Sequence, residues 1–378
     1  MRIAMLTYSV KPRGGVVHAV EVSEALARRG HHVELFALAR EGETLYRPTH
    51  VPLNLVRHAP IDAPFDERIQ AMLEAYTEGL ALDGFDIVHS QDCLSANAAL
   101  ALRDAGEIDR VIRTVHHVDD FTSPSLIECQ DRSILAPDHV LCVSRPWVER
   151  LQREFGVNAG LVSNGVDPRR FRAPRDRAER AHARRLAGFG ERFTVLTVGG
   201  IEPRKGSITL LEGFARLRAH VPDALLVIAG GTTLFDYRHE LERFAERADE
   251  LGVTEHVWRL GALEPAELER LFRAADAFAF PSVKEGFGLA ALEAVAAGLP
   301  LVVSDLDVFR GFLTHERSAL ITPAGDPQAL AAALTRIAAD RALCTRLRRG
   351  GRAVVARHTW EASSCAHERA YERLAVPR

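Results

Sequence analysis

Residues Pro281–Leu301 read PSVKEGFGLAALEAVAAGLPL. The five residues before them, Asp276-Ala277-Phe278-Ala279-Phe280, form a short apolar run that stops at a proline, as a buried parallel strand does. A polar turn follows, with Gly286 and Gly288 allowing the backbone to approach a ligand closely. From Leu289 the spacing becomes helical. Leu289, Leu292, Val295 and Ala296 share one face, and Gly298 sits where a helix ends. Glu285 therefore falls in the loop before the helix, and Glu293 in its second turn. Both carboxylates lie at the carboxyl end of a strand, the side on which open α/β sheets bind ligands.

Working outward, the first half alternates strand and helix. Strands are expected at Ile3–Tyr8, Val33–Leu38, Phe85–His89, Val111–Val115 and His139–Val143, with a helix at Val16–Arg29 closed by Gly30. A second series starts at Phe193–Val198 and continues through Ala224–Ala229, His256–Leu260, Ala277–Phe280 and Leu301–Val303. Such alternation predicts parallel sheets covered on both faces. The fold class is thus α/β, with two doubly wound domains, 1–170 and 171–357. Between them, Pro168–Arg192 is dense in arginine and lacks apolar periodicity, and reads as a linker with a solvated helix. His358–Leu374 is helical again, with Trp360 and Tyr371 as anchors.

The 378 residues suffice for two cores, and 47% hydrophobic with 26% charged residues is ordinary for a soluble protein. A net charge of -3, without a basic tract interleaved with aromatics, gives no argument for nucleic acid. The N-terminal apolar run is too short for a signal peptide, and no uncharged stretch reaches the ~20 residues that span a bilayer. The five cysteines form no CxxC pair and read as reduced thiols of a cytoplasmic protein.

Two glycine turns stand at strand exits. Gly14-Gly15 opens the first helix, where free N–H groups suit an anion, but the GxGxxG dinucleotide pattern is absent. Gly199-Gly200 precedes Ile201-Glu202-Pro203-Arg204-Lys205-Gly206, and a helix starts near Ser207. Arg204 offers bidentate geometry to phosphate oxygens and Lys205 a compact charge. Alone, an Arg-Lys pair is usually a solvated surface feature, so its context carries the weight. His116-His117-Val118-Asp119-Asp120 and Asp305-Leu306-Asp307 tempt a metal reading, but neither gives a ligand set of recognisable spacing.

Together these segments resemble the retaining glycosyltransferases of family 4, which have the GT-B fold. Glu285 and Glu293 match that family's Glu-x7-Glu element, and Arg204 and Lys205 its phosphate-binding Arg-x4-Lys or Arg-Lys-Gly element. The likeness extends to Asp86-Ile87-Val88-His89, to Ser163–Asp167 with Phe171, and to the turns at Gly230 and at Leu260-Gly261. It departs at Gln91, where a second histidine is common. It departs again at Ser304–Phe309, which is more like a variant found in phosphatidylinositol mannosyltransferases. The resemblance implies two Rossmann-like domains with a cleft between them, and a terminal helix of about 358–378 that packs back on the first domain.

It also implies transfer of a sugar from a nucleotide diphosphate donor to an acceptor hydroxyl, with retention, no metal and no cofactor beyond that co-substrate. A UDP-sugar is the expected donor and GDP-mannose the alternative; the acceptor is a small molecule, a glycan or a lipid, with peripheral membrane contact open. Arg204, Lys205, Glu285 and His116 become the catalytic candidates, His117 being the alternative to His116. Gly14, Gly15, Gly200, Gly230, Leu260, Gly286, Phe287, Gly288, Leu289 and Glu293 become the donor-binding candidates. Glu293 would meet the ribose hydroxyls, and Lys205 and Glu293 are both expected to be solvent-accessible. Three rivals remain: a sugar-nucleotide epimerase of the same fold, a nicotinamide-dependent oxidoreductase and a non-catalytic nucleotide-sugar binder.

Overall fold

The structure is a computed structural model that describes residues 1–231 and 238–375. It divides into two compact units, Met1–Asn164 with Trp360–Arg378, and Gly165–Thr359. The unit boundaries thus fall at 164/165 and 359/360, rather than at 170/171 and 357/358.

The first unit contains β1 (Arg2–Thr7), α1 (Gly14–Arg28), β2 (His32–Arg40), β3 (Leu53–His58), α2 (Phe65–Gly79) and β4 (Ile87–Ser90). It continues with α3 (Cys93–Asp104), β5 (Val111–Val115), α4 (Pro124–Leu135), β6 (His139–Cys142), α5 (Arg145–Phe155) and β7 (Gly160–Leu161). The strands form one seven-stranded sheet in the order β3-β2-β1-β4-β5-β6-β7. All its pairings are parallel. Every residue of β1 after Arg2 is buried, as expected for a central strand covered on both faces.

The second unit contains α6 (Arg177–Ala187), β8 (Thr194–Val198), α7 (Ser207–Arg218), β9 (Leu225–Ala229), α8 (Arg238–Glu250), β10 (Val257–Gly261) and α9 (Pro265–Ala274). Then come β11 (Ala277–Phe280), α10 (Leu289–Ala296), β12 (Leu301–Ser304), α11 (Asp307–Arg310), β13 (Leu320–Thr322), α12 (Pro327–Ala339) and α13 (Arg341–Val355). Its parallel sheet has the order β10-β9-β8-β11-β12-β13. Both sheets reverse strand order beside their first strand, between β1 and β4 and between β8 and β11. Those reversals leave a crevice at the strands' carboxyl ends, where such sheets take ligands.

Three strands escaped the sequence pattern. β3 is an edge strand with half-exposed residues, while β7 and β13 are only two and three residues long. The arginine-rich stretch holds the expected helix, α6, which is largely solvated with only Ala183 buried, but it also packs on α9, with Arg180 and Arg184 donating to Asp276 at 2.6 and 2.8 Å. Asp276 also accepts the Thr194 N–H at 2.9 Å, so one carboxylate ties the helix to the start of β8.

The last helix, α14 (Trp360–Ala375), belongs to the first unit and packs on α1. Trp360 and Tyr371 are both buried, and the Tyr371 hydroxyl lies 2.6 Å from His89 Nδ1. Among the described residues, no helix is long and apolar enough to cross a membrane.

Candidate functional site

In the second unit, the segment leaving β8 and the segment leaving β11 meet. Pro203–Lys205 makes one 3-10 turn that closes on Glu202, with the Lys205 N–H donating to the Glu202 carbonyl at 3.1 Å. The Arg204 carbonyl accepts the N–H groups of Val283 and Lys284 at 2.9 and 3.3 Å, stitching the two segments together. Gly206 permits this contact. Its φ is 65°, and a Cβ there would lie 2.1 Å from the Pro281 carbonyl oxygen.

The stitching brings four charged side chains into one group. Lys205 Nζ donates to Glu285 Oε1 at 2.6 Å and stands 4.6 Å from the centre of the Phe280 ring. Ser282 Oγ donates to the same Glu285 oxygen at 3.0 Å. Arg204 Nε lies 2.8 Å from Glu202 Oε2, and its Nη1 lies 3.7 Å from Glu285 Oε1. Lys205 was expected to be accessible, but its side chain is only 16% exposed and that of Glu285 only 8%. Formally the group is neutral, with two cations against two carboxylates.

Burial lowers the affinity of Lys205 for its proton, and the pull of Glu285 only partly restores it. Burial pushes the Glu285 carboxyl up, but Lys205, Arg204 and the hydrogen bonds from Lys205 and Ser282 outweigh it and hold it below the ordinary range.

Around this group lie most of the glycines singled out in the sequence. Gly230 donates its N–H to Gly261 at 2.8 Å, and Ala229 accepts that of Gly199 at 2.8 Å, so three strand-exit turns adjoin. A small pocket is lined by Thr197, Gly199, Gly200, Lys205 and Phe280. Gly286 and Phe287 are buried in the loop after Glu285. Phe287 stacks on Phe312 at 4.9 Å with rings 3° from parallel, so only its main chain is left to meet a ligand.

Gly288, with a φ of 95°, precedes Leu289 at the start of α10, and Gly206 precedes α7. No side chain caps either helix, the condition under which first-turn N–H groups can serve an anion. Leu289 and Glu293 are half-buried on α10, whereas Leu260 is exposed at the end of β10. Sequence reasoning missed Glu202, Ser282 and Phe280 as members of the site. Their only signal was position, each being within a few residues of a strand end.

The first unit gathers a separate, smaller group. Gly14 and Gly15 are the first residues of α1, and a Cβ on Gly15 would lie 3.3 Å from the His116 ring. His116 Nε2 is 3.0 Å from Gln91 Oε1, and its ring centre is 4.9 Å from that of His18. Burial, reinforced by His18 and Arg113, holds the His116 imidazole well below its usual range, so it is a neutral hydrogen-bonding ring. His117 instead faces Asp119 at 3.2 Å. Gly15 and Gln91 thus adjoin His116 and not its neighbour. His89, fully buried between Tyr371 and Thr114, is a structural residue of the sheet.

Comparison with known proteins agrees with this architecture. The family model for glycosyl transferases group 1 matches residues 179–354, and that for Glycosyltransferase Family 4 matches residues 12–170. A D-inositol 3-phosphate glycosyltransferase of Corynebacterium jeikeium is 30% identical, over 99% of this chain and 97% of its own. A phosphatidyl-myo-inositol mannosyltransferase of Mycobacterium leprae is also 30% identical, over 100% of this chain and 98% of its own. Among solved structures, sucrose-phosphate synthase from Thermosynechococcus elongatus superposes with a TM-score of 0.82 at 24% identity, covering 99% of both chains. HepE of Anabaena, in complex with UDP and glucose, superposes with a TM-score of 0.80 at 18% identity over 100% of both chains. The chain therefore belongs to glycosyltransferase family 4, and is a glycosyltransferase with the two Rossmann-like domains of the GT-B fold.

Proposed function

We propose that the enzyme transfers a hexose from a nucleotide diphosphate-sugar to an acceptor hydroxyl with retention at the anomeric carbon, without a metal ion. The observation that carries this reading is the group Glu202, Arg204, Lys205 and Glu285 at the β8–β11 strand ends, beside two helix starts without side-chain caps. A diphosphate there would meet a guanidinium, an ammonium and main-chain N–H groups, and its negative charge grows as the glycosidic bond breaks. Glu285 would orient the sugar and Glu293 the ribose. The acceptor oxygen forms the new bond to the anomeric carbon, the bond from that carbon to the phosphate oxygen breaks, and the acceptor proton passes to the departing diphosphate on the same face. Rate then comes from positioning and from stabilising the leaving group.

In the first unit, Gly14, Gly15 and His116 are the residues we assign to sugar contact. A UDP-sugar is the first donor to test. GDP-mannose is the second, since one relative is named a mannosyltransferase. Two relatives named for inositol compounds make a polyol, free or on a lipid at a membrane surface, the first acceptor class to try.

The test is a thermal-shift panel of UDP, GDP and ADP, followed by turnover of the matching sugar donors and NMR of the product's anomeric proton. A nucleoside diphosphate at 100 times its dissociation constant should stabilise the protein by about 2.7 kcal/mol. A product of inverted configuration would remove the retaining mechanism. Epimerised or hydrolysed donor as the sole product would favour the epimerase reading.

A further inference from the structure

Glu202 is among the most enclosed charged residues of the second unit, its side chain being 4% exposed. Its backbone is held at both ends. The Glu202 N–H donates to Ser207 Oγ at 3.2 Å, and the same hydroxyl donates to the Glu202 carbonyl at 3.2 Å. Ser207 is the first residue of α7, so Glu202 is pinned to the helix that follows the Arg-Lys turn. The carboxylate occupies space that a side chain at position 200 would need. A Cβ on Gly200 would lie 3.0 Å from Glu202 Oε1 and 2.8 Å from the Gly231 carbonyl oxygen.

From that fixed place, Oε2 reaches Arg204 Nε at 2.8 Å. A carboxylate so enclosed is costly unless a cation partners it, and Arg204 is its nearest one. The dependence runs the other way as well. The Arg204 side chain, 29% exposed, is long and rotamer-rich, and it reaches a ligand with one geometry only if something fixes its plane.

We propose that Glu202 is a positioning residue: it aims the Arg204 guanidinium at the donor's diphosphate and acts on that diphosphate only through Arg204. The proposal rests on the reading above, in which Arg204 and Lys205 receive the diphosphate. An arginine preset in this way loses less freedom when the donor binds. Removing Glu202 should therefore weaken phosphate recognition while leaving nucleoside recognition alone.

Calorimetric titration of UDP against uridine, and of GDP against guanosine, tests this on the full chain. The proteins are the wild type, Arg204→Met, Glu202→Ala, Glu202→Gln and the Arg204→Met/Glu202→Ala double variant. Arg204→Met should cost one diphosphate roughly 10- to 150-fold in affinity, the range for a hydrogen bond to a charged group. Glu202→Ala should cost roughly tenfold with that diphosphate and less than about twofold with its nucleoside, and should add nothing in the Arg204→Met background. Glu202→Gln keeps the shape and one acceptor oxygen, and should recover part of the loss. If Glu202→Ala does not fold, Glu202→Gln alone and with Arg204→Met carries the same cycle.

If Arg204→Met weakens the diphosphate but the Glu202 effect persists in its background, or extends equally to the nucleoside, the positioning role is overturned and the diphosphate site stands. If no diphosphate binds the wild type, or Arg204→Met binds it unchanged, the site assignment fails and the Glu202 role falls with it.

Discussion

Lys205 and Glu285, 80 residues apart in the chain, are joined at 2.6 Å in a setting where neither is more than 16% exposed. Removing one member of a buried pair strands the other, typically at a cost of about 3–5 kcal/mol. Ser282 at 3.0 Å and Arg204 at 3.7 Å can soften the loss on the Glu285 side, so Lys205→Met should cost about 3 kcal/mol. Lys205→Met combined with Glu285→Gln should recover a measurable part of it. Urea denaturation of the two singles and the double checks this. Strictly additive losses would show that the pair contributes nothing as a pair.

The two glycine turns make opposite predictions. A Cβ at Gly206 would run into the Pro281 carbonyl, and the residue's φ of 65° disfavours any other side chain. Gly206→Ala should separate the Arg204–Lys205 turn from the Glu285 loop, lowering the melting temperature and abolishing transfer together. At Gly14 nothing lies within 4 Å of an added Cβ. Gly14→Ala should leave the melting temperature within a degree or two of wild type, so any loss of transfer there reports a ligand. Circular dichroism melts beside activity assays separate the cases.

Much of this was legible in the chain because apolar runs, glycines and prolines punctuate it strongly. Ala277–Phe280 falls where its composition puts it, since a strand buried on both faces reads as an unbroken apolar run. β3 escaped because only Val56 of this edge strand is buried, and Asn54, Arg57 and His58 interrupt the apolar run. The arginines of α6 were legible as a solvated helix but not as anchors. Charge density says nothing about a partner such as Asp276, almost a hundred residues away, and only the fold supplies it. Glu285 and Lys205 stood out as candidates from their motifs. That each would neutralise the other depended on two loops meeting at Gly206 and Pro281, and no local pattern reports that.

Acid should loosen the first unit. His18 is pushed down to about 3 by burial and the nearby His367, and His367 down to about 4 by burial. Nδ1 of His18 faces Asn164 Oδ1 at 2.6 Å, and Nδ1 of His367 faces the Ser363 carbonyl at 2.8 Å. Both Nδ1 atoms therefore carry the proton, leaving each buried Nε2 bare and without a partner among the described residues. A second proton would create a buried, unpaired N–H. The folded values lie below the unfolded value of about 6.5, so this stability is complete above pH 6.5 and is lost as pH falls towards 4. The loss is about 1.4 kcal/mol per pH unit for each imidazole. Urea midpoints from pH 7.5 to 5 should fall accordingly, and His367→Phe should flatten the slope by up to one proton. An unchanged slope in that variant would mean that His367 titrates normally.

Chelation should leave transfer intact if Arg204 and Lys205 supply the positive charge for the diphosphate. Asp305 accepts the Ala324 N–H at 2.9 Å and lies 3.9 Å from Arg310, while Asp307 begins α11. Among the described residues, no three His, Cys, Asp or Glu side chains gather as a metal site would require. Activity lost in excess EDTA and restored by magnesium or manganese would reassign the charge to a metal.

Glu293 offers the cleanest separation of binding from chemistry. It sits in the second turn of α10, half-buried, eight residues beyond Glu285. If it accepts hydrogen bonds from ribose hydroxyls, Glu293→Gln keeps the side chain's shape but replaces one acceptor oxygen by a donor and removes the charge. A hydrogen bond to a charged group is worth about 1.5–3 kcal/mol, so nucleotide affinity should fall roughly 10- to 150-fold. The ribose is remote from the bond that breaks, so KM for the donor should rise while kcat changes little. The nucleoside should lose as much affinity as the nucleoside diphosphate, the opposite of the pattern expected for Arg204→Met. Calorimetry with both ligands and steady-state kinetics with the donor give the two readouts. A variant that lost kcat with an unchanged KM would place Glu293 at the reacting sugar instead of the ribose.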